Sequence, residues 1–332
     1  MTTVALDLLG GDGAPGVVAD AAATLLSGAG HQGLRLVLVG PVDVARKQLV
    51  ARGVDLDRVT LLPAPCGVSM DSHPLEVVRA DAQREEAETT VVVAARAVRD
   101  DIADAWVSVG HTGASVAAAV LTLGRISGMQ KPALAVVVPA LARPVVLLDV
   151  GATTSASVAA LTQFAFAGAA FARAVGVESP AIGLLTIGSE SGKGDELRIE
   201  ADAALESELG AAGLNYVGPV EGFDITRGSI AQVIVTDGFT GNVVLKSIEG
   251  AAAWSAHRIG QAYGDPGPAR GVVRRAASGS FAGGLVLGVE GVTVVGHGAG
   301  TAAQVIGCVE LAQRAVEQDL VGNVRAALAG QP

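Results

Sequence analysis

The residues of this chain best suited to chemistry stand at four glycine-bearing corners. They are Gly110-His111-Thr112-Gly113, the stretch Gly188 to Gly194 with Lys193 inside it, Asp237-Gly238-Phe239-Thr240-Gly241-Asn242, and Gly296-His297-Gly298-Ala299-Gly300-Thr301. Each follows an apolar, strand-like run and precedes a segment with helical spacing. Glycine there lets bare backbone approach a ligand, and the unpaired amides at a helix start favour an anion. Phosphate is the natural candidate. One such corner alone is a common kind of turn; several in one chain, each with a hydroxyl, amide, imidazole or ammonium group, point to function.

Lys193 is the sharpest of these signals, because the only other lysines are Lys47, Lys131 and Lys246. A point charge between Gly192 and Gly194 suits a small anion or a developing oxyanion. The plain alternative is a solvated surface lysine. The stretch is not a nucleotide-binding P-loop, since Gly188 and Gly192 bracket only Ser189, Glu190 and Ser191, and Gly194 stands where a magnesium-binding hydroxyl would follow. Nor does Gly10-Gly11-Asp12-Gly13 match GxGxxG, and no GxSxG nucleophile elbow occurs. Cys66 and Cys308 lie far apart without a CxxC, and His31, His73, His111, His257 and His297 show no ligand spacing. These features predict free thiols, no metal and no cofactor. Direct attack by a bound nucleophile, without a covalent enzyme intermediate, fits the residues at hand.

The elements that must position these corners read as alternating strands and helices: TVALDL, LRLVLVG, AWVSVG, VVLLDVG, IGLLTIG and QVIVTDG, each followed by a helical stretch. Nearly continuous apolar strands imply a sheet covered on both faces. In an open parallel sheet the ligand crevice forms at the carboxyl edge, so the corners are expected to converge on one site. The reading is one α/β domain over residues 1–332, with a surface excursion at about 255–282 that holds Arg270, Arg274 and Arg275 beside Val272 and Val273. Residues 70–88 read as polar and external.

Composition narrows the classes further. Half of the 332 residues are hydrophobic but only 3% aromatic, which predicts a core of small side chains. A net charge of −10 argues against a nucleic-acid partner. Asp7 interrupts the first apolar run, so the start does not read as a signal peptide. Charge-free stretches at 105–124 and 155–172 approach spanning length, but Gly110, His111 and Gly113 break the first and Gln163 lies in the second. The expectation is a cytoplasmic protein with at most weak peripheral membrane contact.

Taken in order, seven segments resemble the phosphate acyltransferases of the PlsX family: LDLLGGDGAP (6–15), VSVGHTGA (107–114), GRISGMQKPAL (124–134), LLDVGA (147–152), GLLTIGSESGKGDEL (183–197), VTDGFTGNVVLKSIEG (235–250) and GGLVLGVEGV (283–292). The resemblance implies a three-layer α/β/α sandwich with a mainly parallel sheet, similar to phosphotransacetylase and isopropylmalate-dehydrogenase-like folds, in a homodimer. It implies transfer of a fatty acyl group from acyl carrier protein to inorganic phosphate, forming acyl phosphate for phospholipid synthesis. Lys193 and Asn242 match the family's catalytic lysine and asparagine. Asp7, Gly10, Gly11, Asp12, His111, Thr112, Gly113, Asp149, Gly188, Gly192, Gly194, Asp237, Gly238, Thr240, Gly241 and His297 are expected to form the substrate-binding set.

That chemistry is coherent in physical terms. Phosphate is already a nucleophilic anion, so holding it against a thioester carbonyl and stabilising the oxyanion can replace a catalytic nucleophile. The chain departs from the family's wording at Gly13 (usually His), His111 (usually Asn), Thr153 (usually Asn), Pro219 and Phe223, and an acidic insertion follows Arg79. Two alternatives come with these departures. One is a divergent acyltransferase of specialised metabolism that moves a carrier-bound acyl group to another acceptor, with His111 as a base. The other is a non-catalytic scaffold that binds acyl carrier protein.

Overall fold

Apolar runs become strands and alanine-rich segments become helices in the computed structural model, which describes every residue except 29, 30, 32, 70, 191, 266, 270, 272–281, 299, 331 and 332. The first elements are β1 (Thr2–Asp7), α1 (Gly16–Ser27), β2 (Leu34–Gly40), α2 (Val42–Val50), β3 (Val59–Pro63), α3 (Pro74–Ala82), α4 (Thr90–Arg99), β4 (Ala105–Ser108) and α5 (Thr112–Ala118). There follow β5 (Ala133–Val138), β6 (Val145–Leu148), α6 (Val158–Ala174), β7 (Ala181–Leu185), α7 (Glu196–Ala211), β8 (Asn215–Val220), α8 (Gly222–Arg227), β9 (Val233–Val235) and α9 (Gly238–Tyr263). The chain closes with β10 (Gly283–Leu287), β11 (Val292–Gly296), α10 (Ala302–Glu317) and α11 (Leu320–Ala329).

Two compact units divide these elements: Met1–Ile126 with Ala282–Val321, and Ser127–Phe281 with Gly322–Pro332. In the first unit the strands run β3-β2-β1-β4-β11-β10, all parallel except β10, which pairs antiparallel with β11. In the second they run β5-β6-β9-β7-β8, all parallel except β5 against β6. The expected α/β architecture with mainly parallel sheets is therefore present. Inner strands β4, β6, β7, β9 and β11 are buried at every residue, as sheets covered on both faces require.

The sequence reading passed over β3, β5 and β8. Pro219 interrupts β8, which is tolerable because that strand sits at a sheet edge and pairs only with β7. Residues 70–88, read as external, contain α3, whose Val78 and Asp81 are buried. Of the excursion read at about 255–282, the beginning is helix, since α9 runs to Tyr263; Arg270, Val272, Val273, Arg274 and Arg275 lie outside the described residues.

Each unit carries its own core of Ala, Val and Leu with few aromatic rings. Trp106 on β4 is fully buried in the first unit, and Phe164 and Phe171 on α6 are buried in the second. Trp254 on α9 is 66% exposed. Cys308 is buried, and burial pushes its thiol up to about 12, whereas Cys66 is exposed; both are unpaired.

Candidate functional site

In the first unit β1, β4 and β11 lie side by side and parallel, so the corners after Asp7, Ser108 and Gly296 emerge at the same edge. They are in close contact. A Cβ on Gly10 would stand 2.9 Å from the Gly110 amide nitrogen and 2.8 Å from Asp7 Oδ2, so no larger residue fits there. The Asp12 amide donates to the Gly298 carbonyl at 2.8 Å, tying the first corner to the third. His297 is exposed on that third corner.

Asp7 is buried at the end of β1, where the Ser108 hydroxyl donates to Oδ2 at 2.7 Å and the Leu9 amide to Oδ1 at 3.0 Å. Burial pushes this carboxyl above its ordinary range, and the hydrogen bonds only partly oppose it. Asp7 therefore holds two corners together through Ser108, a residue that sequence reasoning missed although it is a lone hydroxyl in an apolar strand. A cavity of about 200 Å³ opens here, lined by Asp7, Leu9, Gly10, Gly11, Asp12, Val68, Ser69, Val91, Gly110 and His111. Among these described residues none is cationic.

His111 is the N-cap of α5: the Gly113 amide donates to its Nδ1 at 3.1 Å. Thr112 opens the helix and Gly113 must stay small, because a Cβ there would meet the imidazole Cε1 and Pro74 Cγ at 3.3 Å each.

In the second unit β6, β9 and β7 are parallel neighbours, and the corners that follow them carry both residues expected to be catalytic. Lys193 lies in the loop before α7 rather than inside that helix, because Gly192 and Gly194 both take positive φ and Asp195 caps the helix only afterwards. The loop is pinned by the Lys193 amide donating to the Glu190 carbonyl at 3.1 Å and the Thr186 hydroxyl donating to the Lys193 carbonyl at 3.3 Å. Lys193 is exposed, and its ammonium makes no hydrogen bond or ion pair among the described residues. Gly188 is buried beneath it, with the Lys193 Cγ 3.3 Å from where a Cβ would stand.

Asn242 sits in the first turns of α9, a helix capped by Asp237, which accepts from the Thr240 amide at 3.0 Å and the Thr240 hydroxyl at 2.8 Å. The Asn242 side chain lies against Gly151, where a Cβ would stand 3.6 Å from its Oδ1. Beneath this contact Asp149 is fully buried and accepts five hydrogen bonds, from the amides of Leu134, Gly151, Ala152 and Thr153 and from the Thr153 hydroxyl. Burial still pushes its carboxyl upward despite those donors. Its oxygens are thus occupied by protein groups, and Asp149 shapes the corner on which Asn242 rests. Gly238 and Gly241 cross directly over Asp149; a Cβ at Gly241 would collide with the Asp149 carbonyl oxygen.

Arg198 joins the two corners, and sequence reasoning missed it. Its guanidinium donates to Asp195 Oδ2 at 2.9 Å, to Thr240 Oγ1 at 3.2 Å, and to Asp237 Oδ2. Both the arginine and Asp237 are largely shielded. Burial would raise the Asp237 carboxyl, but the Thr240 amide and hydroxyl together with Arg198 outweigh it and hold the group below its usual range. The signal was available in GKGDELR, where an arginine three residues after a capping aspartate is placed to return to it. The arrangement fixes the lysine loop to the asparagine helix, and with the guanidinium paired to Asp195 and Asp237 it is the Lys193 ammonium that suits an oxyanion.

Comparison with known proteins bears on this geometry. A family model described as "Fatty acid synthesis protein" matches residues 2–263. The chain is 38% identical to a phosphate acyltransferase of Thermus thermophilus, covering 97% of each chain. It is 34% identical to one of Desulfitobacterium hafniense, covering 98% of this chain and 97% of that one. Among solved structures, a phosphotransacetylase from Streptococcus pyogenes superposes with a TM-score of 0.62 at 17% identity, and a branched-chain phosphotransacylase from Enterococcus faecalis with 0.60 at 12%. The first covers 94% of both chains; the second covers 95% of this chain and 99% of its own. At such identity the likeness is one of fold. No helix among the described residues is long and apolar enough to cross a membrane.

Proposed function

We propose, for a chain that belongs to the phosphate acyltransferase (PlsX) family of fatty acid synthesis proteins, that it transfers a fatty acyl group from acyl carrier protein to inorganic phosphate, forming acyl phosphate for phospholipid synthesis. Lys193 holds the phosphate or the developing oxyanion, and Asn242 orients the same centre. The observation that carries this reading is the Arg198 bridge, which fixes the corner bearing Lys193 to the corner bearing Asn242. Phosphate attacks the thioester carbon, the carbon–sulfur bond breaks, and the carrier leaves as its thiol. The loops supply position and positive charge, and no enzyme nucleophile is required.

The protein acts in the cytoplasm as a homodimer. Phe239, Val243, Trp254, Ile259 and Tyr263 are exposed along α9, and this apolar series on a long helix supports a protein-facing surface. The test is to incubate purified protein with acyl-loaded carrier, with and without phosphate, and to follow free carrier thiol and acyl phosphate by mass spectrometry. Acyl phosphate that forms only with phosphate is the expected result. Turnover only with some other acceptor, or binding without turnover, would displace it.

A further inference from the structure

We propose that the cavity of the first unit binds a neutral, amide-bearing segment of a ligand, and that His111 orients it by donating a hydrogen bond from Nε2–H. The tautomer follows from the cap. Since the Gly113 amide donates to Nδ1 at 3.1 Å, Nδ1 must offer a lone pair, and in a neutral imidazole the proton then sits on Nε2. Nε2 has no partner among the described residues, and His111 lines the cavity. A ring held this way presents a donor. It has no free lone pair at Nε2 with which to take a proton from an acceptor, so the structure does not favour His111 as a general base.

The character of the ligand follows from the rest of the lining. Asp7 and Asp12 border the cavity and none of its lining residues is Lys or Arg, so an oxyanion would meet acidic side chains with no cation beside them. Ser69 adds a hydroxyl that can donate or accept. An amide satisfies both kinds of wall, its carbonyl accepting from His111 and its N–H donating to a carboxylate. At about 200 Å³ the cavity is smaller than the roughly 300–1,000 Å³ usual for whole small-molecule sites. It takes a segment, flanked by the apolar contacts of Leu9, Val68 and Val91, rather than a long acyl chain. Assigning that amide to the acyl donor rests on the acyl-transfer reading; the tautomer and the preference for a neutral ligand do not.

The test uses the whole ¹⁵N-labelled chain without turnover, so its outcome is separate from the assay for acyl phosphate. Long-range ¹H–¹⁵N correlation at neutral pH, with the His111 signals identified by their loss in His111→Asn, is expected to show the Nε2–H tautomer; a predominant Nδ1–H tautomer overturns the proposal. Titration with N-acetylcysteamine, a small neutral amide, should shift the His111 Nε2 resonance, while inorganic phosphate should not. A response to phosphate alone, or to neither, overturns the site. In His111→Asn the carboxamide can both cap Gly113 and donate, so affinity for N-acetylcysteamine should stay within about threefold. His111→Asp caps without donating and should lose about tenfold, the equivalent of one hydrogen bond. Equal affinities in the two variants would remove the donor from the account.

Discussion

Both units bury an aspartate at the carboxyl end of a strand and lay a glycine over it, yet they make sites of opposite character. Asp7 ends β1 beneath Gly10, and Asp149 follows β6 beneath Gly238. Burial pushes both carboxyls upward. Around Asp7 the loops add Asp12, His111 and Ser69 and no cation in the cavity lining. Around Asp149 they add Arg198, paired to Asp195 and Asp237, and, on the next loop, Lys193, whose ammonium has no carboxylate partner among the described residues. The lesson is that the strand end supplies a rigid seat, and the sign of the ligand it suits is written in the few loop residues above it.

The comparison can be broken most directly at the seats themselves. Asp149→Ala leaves five donors unpaired in the interior, whereas Asp7→Ala releases chiefly Ser108 and the Leu9 amide. Urea unfolding should show losses of about 3–5 kcal/mol for the first and about 1–3 kcal/mol for the second. Equal losses would mean that the donors do not set the difference. Lys193→Ala should lower acyl phosphate formation by about 10²–10³-fold with circular dichroism unchanged, the scale of one oxyanion donor; wild-type rates would take the ammonium out of the chemistry.

Acidity sharpens the contrast, because Asp7 and Asp237 are displaced in opposite directions. The raised carboxyl of Asp7 contributes stability that is present below its ordinary value of 3.8 and lost as pH rises through its folded value. Asp237, held low, contributes stability that is present above 3.8 and lost as pH falls through its folded value. Asp7→Asn should therefore flatten the loss of stability on the rising side. Arg198→Ala should shrink the acid-side loss and, by loosening the two corners, lower turnover about tenfold at unchanged fold. Unfolding midpoints between pH 3 and 7 read both, and parallel profiles in the two variants would contradict the assignment. The smallest effect belongs to Ser108→Ala, about 1 kcal/mol, since one hydrogen bond to a carboxyl is lost.

Much of this was legible in the residues. Period and composition marked the strands that became β1, β2, β4, β6, β7 and β9, and Asp237-Gly238-Phe239-Thr240-Gly241-Asn242 announced a helix start as a glycine-bearing corner between an apolar run and helical spacing, to which the fold adds Asp237 as the cap. Less visible was what the aspartates are for. Asp149 reads as a ligand group in LLDVGA, yet its oxygens are filled by amides that only the folded corner brings round. Of Arg198 only the short return to Asp195 shows in GKGDELR: its other partner Asp237 lies 39 positions away, and no local pattern announces a contact of that span. The edge strand β8 escaped because Pro219 argues against any strand except one at a border.

The placement of the two tryptophans has a practical yield. Trp106 is sealed within one unit and Trp254 is exposed on α9 of the other, so the emission of the first should be blue and, wherever no partner covers that helix, that of the second red. A single fluorescence spectrum during denaturation thus carries a separate intrinsic reporter for each half, and loss of the blue component before or after quenching of the red one would tell whether the halves melt together.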